Sequence, residues 1–331
     1  MKRRLIVIAA ILMMVVSVTA CGGQSADGGS GAEAEKEVSM FQDLKPTAFI
    51  EATNHHGFFR DASFDVPVEW LFFENAPQNC MFFTAVGAEL DLVCLESDET
   101  SLDMTAAEDV VAKLEQAKFK VTKAAEEITM TNGTTAFYFE GEMGEGENHG
   151  AHKCILMKYD KTLYLFRMIT FDNAKTDYTD DFLAVADSVK FGEIEKKKFK
   201  NLSIRLPKGW EATDEQDMQI TWSPKGDDMK SAGLIVREST TAVDQTVANL
   251  FFQKLSQNGD LTVAKEPYQT MILGKEGFRA VYNFNLDGGK KGVEDVIIPK
   301  DDSRLIILTT GLETSVDDRI FVSCVFKSLE Y

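Results

Sequence analysis

The stretch FRDASFDVPVEW at residues 59–70 recurs as FKNLSIRLPKGW at residues 199–210, with an offset of 140 residues. Two further pairs share this offset, namely Phe82 with Trp222 and Ser188–Phe191 with Ser328–Tyr331. Three matches in one register predict an internal duplication. A unit of this length buries about 70% of its unfolded surface, so we expect each copy to fold around its own core.

Hydrophobic periodicity predicts the same order of elements in both copies. Helices are predicted at Thr105–Lys118 and Tyr178–Val189 in the first copy and at Val243–Ser256 and Val316–Lys327 in the second. Strands are predicted at 63–70, 80–86, 90–96, 119–123, 135–142, 153–159 and 163–171, then at 202–206, 219–223, 233–238, 261–264, 278–286, 292–298 and 304–310. Runs of strands separated by only two helices favour an α+β fold, in which each copy is an antiparallel sheet packed with helices. Four phenylalanines at alternating positions are expected in the core: Phe137, Phe139, Phe166 and Phe171.

The repeated motif resembles that of the PsbP-like superfamily. It consists of a Ser-x-x-x-Pro-x-x-Trp opening strand (Ser63 to Trp70, Ser203 to Trp210), a later helix, a meander of strands and a closing helix that ends in Ser-hydrophobic-x-aromatic. The resemblance covers residues 58–191 and 198–331. This superfamily includes extrinsic photosystem subunits, the Ran-binding release factor family and bacterial lipoproteins without an assigned role. The resemblance implies two tandem PsbP-like domains with an accessory or binding role, and it supplies no catalytic residues.

The N-terminus has the pattern of a bacterial lipoprotein signal peptide. A basic start at residues 2–4 precedes an apolar run at 5–20, which is shorter than the roughly 20 residues of a membrane-spanning helix. Val18-Thr19-Ala20-Cys21 resembles a lipobox, in which the cysteine sulfur receives a diacylglyceryl group before cleavage. We therefore expect lipidation of Cys21, and two acyl chains would anchor the protein stably to a membrane. The alternative is an ordinary secretory signal in which Cys21 is incidental.

The rest of the chain is predicted to form a tether and two domains. Residues 22–39 read GGQSADGGSGAEAEKEVS, and a chain of this composition reaches roughly 20–25 Å as a flexible coil. The predicted organisation is a signal peptide at 1–20, the lipidated cysteine and tether at 21–40, and α+β domains at 41–193 and 194–331. The charged stretch 193–198 is the expected joint between the domains.

The charge of the chain excludes some partners. The formal net charge is −18, and removal of the signal peptide with its basic residues makes the mature chain more acidic still. Nucleic-acid binding depends on Lys and Arg that neutralise phosphates, so no nucleic-acid partner is expected. Electrostatic docking on anionic lipid headgroups is disfavoured for the same reason. The expected partners are the membrane, through the lipid on Cys21, and a protein of the envelope.

A weak metal-site pattern lies in the Gly-rich stretch 141–152. Glu145, Glu147, His149 and His152 combine carboxylates with imidazoles, which suit zinc or a harder divalent ion. The same glycines and charges are typical of an exposed hairpin loop, and no defined metal-site spacing is present. The other two histidines, His55 and His56, are adjacent, so on an extended chain they point to opposite faces and are not expected to share a metal.

Four cysteines remain besides Cys21, and the 140-residue offset pairs three of them, Cys80, Cys94 and Cys324, with apolar residues. They are therefore predicted to be small core side chains with free thiols, as is Cys154. A disulfide between Cys80 and Cys94 is the alternative, because export permits disulfides and their strands are adjacent in sequence.

Catalytic motifs are missing from the sequence: there is no Gly-x-Ser-x-Gly elbow, P-loop or dinucleotide fingerprint after a strand. No catalytic residue and no cofactor is expected. The predicted function is that of a non-catalytic binding or accessory module of the cell envelope, anchored on the extracytoplasmic side. Two alternatives remain open, a ligand-capturing lipoprotein that serves a transporter and an envelope hydrolase that uses His149, His152 and Glu147.

Overall fold

The computed structural model describes residues 40–41, 44, 54–73, 76, 78–97, 101–226, 231–238, 244–257, 261–273, 275–285, 291–299, 304–312 and 316–330. The predicted signal peptide, Cys21 and nearly all of the tether lie outside these residues. Within the described part, four α-helices accompany sheets whose recorded strand pairs are antiparallel, so the predicted α+β class is confirmed. None of the described helices is long and apolar enough to cross a membrane.

The elements follow one another along the chain in this order. The strands are β1 His55–Phe59, β2 Ala62–Val66, β3 Leu71–Phe72, β4 Cys80–Ala85, β5 Ala88–Glu96, β6 Lys120–Thr129, β7 Thr135–Met143, β8 Gly150–Tyr159, β9 Thr162–Phe171, β10 Lys190–Phe191, β11 Ile194–Phe199, β12 Leu202–Pro207, β13 Trp210–Gln216, β14 Gln219–Pro224, β15 Ser231–Glu238, β16 Leu261–Ile272, β17 Lys275–Asn285, β18 Lys291–Pro299 and β19 Arg304–Leu312. The helices are α1 Met104–Gln116, α2 Thr179–Asp187, α3 Gln245–Ser256 and α4 Val316–Lys327.

The chain divides into two compact units. Unit 1 comprises residues 67–71 and 82–188 with the described residues before 54, and unit 2 comprises residues 54–66, 72–81 and 189–331. The predicted boundary between residues 193 and 194 stays a prediction. The two compact units differ from the predicted domains mainly at residues 54–66 and 72–81, which were predicted in the first domain and are grouped with unit 2.

Most residues of unit 1 belong to a seven-stranded sheet in the order β3-β4-β5-β9-β8-β7-β6. Its core is rich in aromatic side chains, and three of the four predicted phenylalanines, Phe137, Phe139 and Phe166, are buried, whereas Phe171 is only partly so. Asp103 caps the N-terminus of helix α1, because its carboxylate accepts a hydrogen bond from the Ala106 N–H at 2.9 Å. Its buried side chains, Ala107, Val110 and Leu114, lie on one face at helical spacing.

Unit 2 contains a second seven-stranded sheet, in the order β13-β14-β15-β19-β18-β17-β16. Its strands therefore succeed one another across the sheet in the same sequence-relative order as those of the first sheet. Helix α3 is also capped by an aspartate, because the Asp244 carboxylate accepts from the Val247 N–H at 2.9 Å. Ala248 and Phe252 of α3 pack on a cluster formed by Phe278, Ala280, Tyr282, Val296 and Ile298.

Two hairpins belong to unit 2. Strand β2 pairs with β1 and β10, and β11 pairs with β12. The turns hold Arg60 and Lys200, both at a φ of 54°, which is a left-handed conformation uncommon for residues other than glycine. These residues are 140 positions apart, so the repeated sequence repeats a backbone conformation too. Most of the charged stretch 193–198 lies in β11, which pairs with β12, and its role as the joint between the domains stays a prediction.

Several elements differ from the sequence prediction: strands β1, β3, β10 and β11 were not predicted, and β6 runs to Thr129 and not to residue 123. The predicted loop at 141–152 is shorter, because β7 runs to Met143 and β8 begins at Gly150. Strand β16 extends to Ile272 and not to residue 264, and β13 was not predicted. Both strands lie at edges of the sheet, where exposed polar side chains hide the strand pattern from hydrophobic periodicity.

Candidate functional site

The predicted metal-site residues lie around the β7–β8 connection of unit 1. A 3₁₀ turn at Gly146–Asn148 joins the strands, and the exposed Glu145 carboxylate is 3.8 Å from the Lys118 ammonium. The His149 Nδ1 is 3.0 Å from both carboxylate oxygens of Asp172. The side chain of Glu147 lies outside the described part of the structure.

His152 is placed differently from the other three, since its side chain is buried within unit 1. It lies opposite Gly141 in the β7–β8 ladder, and the Phe119 ring covers this pair: its centroid is 5.7 Å from the imidazole, and a Cβ on Gly141 would be 2.3 Å from the ring. Burial, assisted by the charge of Arg167, lowers the pKa of His152 to about 3. The imidazole is therefore neutral at physiological pH, and its Nδ1 has no hydrogen-bond partner in the described structure.

These positions separate the predicted ligands. His149 pairs with Asp172 at the surface, while His152 points into the interior. Among the described residues no group of three or more His, Cys, Asp or Glu side chains could hold a metal ion. Because the Glu147 side chain is not among them, the metal site stays a prediction.

His55 and His56 begin strand β1. The His56 Nδ1 is 2.8 Å from Asp65 Oδ1, and this hydrogen bond raises the pKa of the exposed imidazole above its ordinary value. The partner of His56 is thus a carboxylate on the neighbouring strand β2.

The four cysteines of the described structure, Cys80, Cys94, Cys154 and Cys324, are free and buried, as predicted. Burial raises the pKa of the Cys154 thiol, and it raises the pKa of Cys324 to about 12. Because the thiolate is the reactive form, both thiols are held in the unreactive state at neutral pH.

Among the described residues, each unit buries a guanidinium–carboxylate pair. In unit 1 the Arg167 Nε donates to Asp91 Oδ1 at 3.0 Å, with a second bond from Nη2 to Oδ2. In unit 2 Arg279 donates to both oxygens of Asp295, at 2.7 and 3.0 Å, and its guanidinium lies 3.6 Å from the centroid of the Phe326 ring. The bidentate geometry compensates the charges that burial removes from water.

Unit 2 also buries a lysine, Lys327, at the end of α4. Its side chain is 1% exposed, and its Nζ donates to the Ala76 carbonyl at 2.8 Å. Burial lowers the pKa of Lys327 to about 7, and Arg279 contributes to this shift. The amine is therefore close to half-charged at neutral pH.

The segment 72–81 contacts the rest of unit 2 through a second side chain, Gln78, in addition to the bond between Lys327 and Ala76. The Gln78 amide donates to the Leu329 carbonyl at 2.9 Å and to the Phe326 carbonyl at 3.4 Å, while its oxygen accepts from the Leu273 N–H at 2.9 Å. Carbonyls at a helix C-terminus have no partner within the helix, so Gln78 satisfies groups that the end of α4 leaves open.

A shallow cleft lies between α3 and β16 of unit 2. It has a volume of about 240 Å³ and is lined by Asn249, Phe252, Gln253, Val263, Glu266, Pro267 and Tyr282. The two amides lie one turn apart on α3, Tyr282 is buried, and Glu266 and Pro267 are exposed. The cleft therefore combines apolar walls with two amides and one carboxylate.

Lys327 and Glu266 are residues that the sequence prediction did not single out. Lys327 has a visible signal, because it lies within the run Ile320–Leu329, whose other residues are apolar apart from two serines, and a lysine is unusual there. Glu266 has none, since it is one of 53 acidic residues in the chain. Cys21, the predicted lipidation site, lies outside the described residues.

No protein-family model matches the chain, and no curated protein matches it either. The chain is similar to the solution structure of cyanobacterial PsbP (CyanoP) from Synechocystis sp. PCC 6803, with a TM-score of 0.33 and 12% identity over 42% of this chain and 93% of that one. It is also similar to a chain of the Tle4–Tli4 complex, with a TM-score of 0.23 and 8% identity over 85% of this chain and 98% of that one. Neither likeness carries a conclusion about the function of this chain.

Proposed function

We propose that the protein is an extracytoplasmic lipoprotein, anchored to the cell membrane through Cys21, whose two tandem PsbP-like copies form a non-catalytic binding or accessory module of the envelope. The observation that carries the proposal is the lipobox Val18-Thr19-Ala20-Cys21 behind a basic start and an apolar run. The polar composition of residues 22–39 supports it, because such a tether would hold the folded part near the membrane.

The interior of the two units supports a non-catalytic role. His152, the buried member of the only predicted polar cluster, is neutral and has a pKa of about 3, so it is a poor general base or acid near pH 7. The thiols of Cys154 and Cys324 are kept protonated by burial. These groups argue against the envelope hydrolase, which needs a base or nucleophile in its reactive form.

The ligand-capturing lipoprotein is the second candidate. Linear separation of the two copies would argue against it, since two-lobed capture proteins have chains that cross between lobes. Here residues 54–66 and 72–81 are grouped with the C-terminal half, so that argument loses its force. The α3–β16 cleft favours this candidate, because it offers a concave surface of mixed polarity.

The proposal is tested by cross-linking the lipidated protein in its own membranes, capturing it and identifying the partners by mass spectrometry. A Cys21→Ala variant serves as the control. A reproducible protein partner that disappears in the control, together with an acylated Cys21 peptide, is the expected result. Recovery of a transporter permease would favour ligand capture, and an unmodified Cys21 in the mature protein would overturn the anchor.

A further inference from the structure

We propose that the α3–β16 cleft of unit 2 binds an organic cation, namely an amine on an aromatic or apolar body, through the carboxylate of Glu266. The cleft contains a carboxylate, apolar walls and hydrogen-bonding amides. In such a ligand the carboxylate would pair with the ammonium, the apolar walls would contact the hydrophobic body, and the amides would form hydrogen bonds with polar groups.

The shape of the cleft follows from irregularities in β16. The pairing of β16 with β17 shifts register between Val263 and Lys265 and again between Lys265 and Tyr268. Bulges bend a strand and re-aim its side chains, and Pro267 has no N–H to extend the ladder. Glu266 and Pro267 consequently line the cleft and do not continue a regular ladder.

The carboxylate of Glu266 is not engaged within the described structure. No hydrogen bond or ion pair joins it to another described residue. Near the low-dielectric walls formed by Phe252 and Val263, an opposite charge interacts with a carboxylate more strongly than it does in bulk water. Glu266 is therefore available to a cationic ligand.

The corresponding region of unit 1 contains an ion pair between an ammonium and a carboxylate. Strand β6 has the same two register shifts, around Lys123. There the Lys123 ammonium is 2.5 Å from the Glu126 carboxylate and 4.8 Å from the centroid of the Tyr138 ring. An ammonium, a carboxylate and a ring thus come together within unit 1 itself.

In unit 2 the matching lysine makes a different contact. The Lys265 ammonium lies 4.2 Å from the centroid of the Tyr268 ring, and no ion pair links it to Glu266. By these register shifts Tyr268 takes the place of Glu126, and Glu266 takes the place of Ala124, so the carboxylate that lines the cleft is particular to unit 2.

The lining residues define the class of ligand. Phe252, Val263, Pro267 and Tyr282 suit an aromatic or aliphatic body, and the cleft has room for a small molecule of this kind. The amides of α3 add hydrogen-bonding groups without charge. The net charge of −18 attracts cations and repels anions, so the electrostatic field of the chain favours a cationic ligand, as Glu266 does.

The experiment is an isothermal titration of the full chain, in a non-ionic detergent, with tyramine and with 4-ethylphenol, which has the same ring without the amine. We expect tyramine to bind about fivefold or more tightly than 4-ethylphenol, because only tyramine pairs with Glu266. Glu266→Gln should remove this preference and leave the weaker binding of 4-ethylphenol unchanged.

The matched control is Glu211→Gln on β13, an exposed carboxylate at the opposite edge of the same sheet. It should leave both affinities unchanged. Equal affinities for the two compounds, full tyramine affinity in Glu266→Gln, or no binding of tyramine by the folded protein would each overturn the proposal. The cleft belongs to unit 2 alone and does not depend on the lipid anchor, so this result and that of the cross-linking experiment stand independently.

Discussion

The two units bury ionisable side chains in different ways. Both contain a bidentate pair, Arg167 with Asp91 in unit 1 and Arg279 with Asp295 in unit 2. Beside the first pair unit 1 places an imidazole, His152, whereas unit 2 places an amine, Lys327. The imidazole avoids the cost of burial by staying neutral, but the amine keeps a pKa of about 7 and is partly charged at physiological pH.

The comparison predicts that the stability of each unit responds to a different range of pH. For His152 the folded-state pKa is about 3 and the ordinary value is 6.5, so the range is acidic. For Lys327 the corresponding values are about 7 and 10.5, so the range is alkaline. Two sheets with the same strand order can thus depend on pH in windows that do not overlap.

The largest expected effect comes from breaking a buried pair. Asp91→Ala leaves the Arg167 guanidinium without its carboxylate, which should lower the free energy of unfolding of unit 1 by about 3–5 kcal/mol. Asp295→Ala should cost unit 2 about as much, because Arg279 then remains as an unpaired buried cation beside the partly charged Lys327. Pulsed hydrogen exchange along a urea series, read on peptides of each unit, measures both. A loss below about 1 kcal/mol in either unit would contradict this account of the pairs.

Lys327→Met tests the alkaline window. Between pH 7 and 10.5 the unfolded chain binds a proton that the folded chain does not, so this lysine makes wild-type stability rise with pH. Methionine removes the ionisable group, so the variant should lack this rise and be roughly 2–4 kcal/mol more stable near pH 7. Urea midpoints from pH 7 to 10 measure the slope. Lys254→Met, at an exposed lysine of α3, is the control and should keep the wild-type slope.

His152→Phe tests the acidic window of unit 1. As the pH falls below 6.5 the unfolded imidazole takes up a proton, while the folded one stays neutral down to about pH 3. The wild type should therefore lose about 2 kcal/mol of stability from this group by pH 5, and the variant should not. Urea unfolding at pH 7 and pH 5 gives the difference. His149→Gln, at a partly exposed imidazole, should retain the wild-type loss, and a similar acid slope in His152→Phe would refute the assignment.

The smallest effect concerns a feature that the units share. Helices α1 and α3 begin with Asp103 and Asp244, which accept equivalent N-cap hydrogen bonds of 2.9 Å. Asp103→Ala and Asp244→Ala should each cost about 1 kcal/mol in the unit that carries the helix. Urea unfolding measures both, and clearly unequal costs would show that the two helix starts are not equivalent.

The helices were the most predictable part of the fold. Helix α4 has the bounds predicted from periodicity, and α1 differs by one or two residues at its ends. The predicted helix to Lys118 stops earlier, because that residue takes a left-handed φ of 71°. Such local signals are contained in a few neighbouring residues, which is why a sequence displays them.

The segment 72–81 shows what periodicity misses. Its counterpart by the 140-residue offset, residues 212–221, contains the turn of the β13–β14 hairpin. The segment 72–81 likewise connects the paired strands β3 and β4, but it is also held to α4 by Gln78 and Lys327. These side chains act on groups some 250 residues away in the chain. The sequence of the segment therefore does not predict which residues it contacts.

The sequence by itself determined the duplicated motif, the alternation and periodicity that specify strands and helices, and the aspartates that start α1 and α3, because each depends on the chemistry of nearby residues. It also carries the predicted lipidation signal at Cys21. Only the tertiary structure decided that β5 lies beside β9, that His152 and Lys327 are buried, and that Glu266 lines a cleft. Burial and the electrostatic environment depend on which distant strands and helices come together, and these properties set the pKa values and the availability of charged side chains.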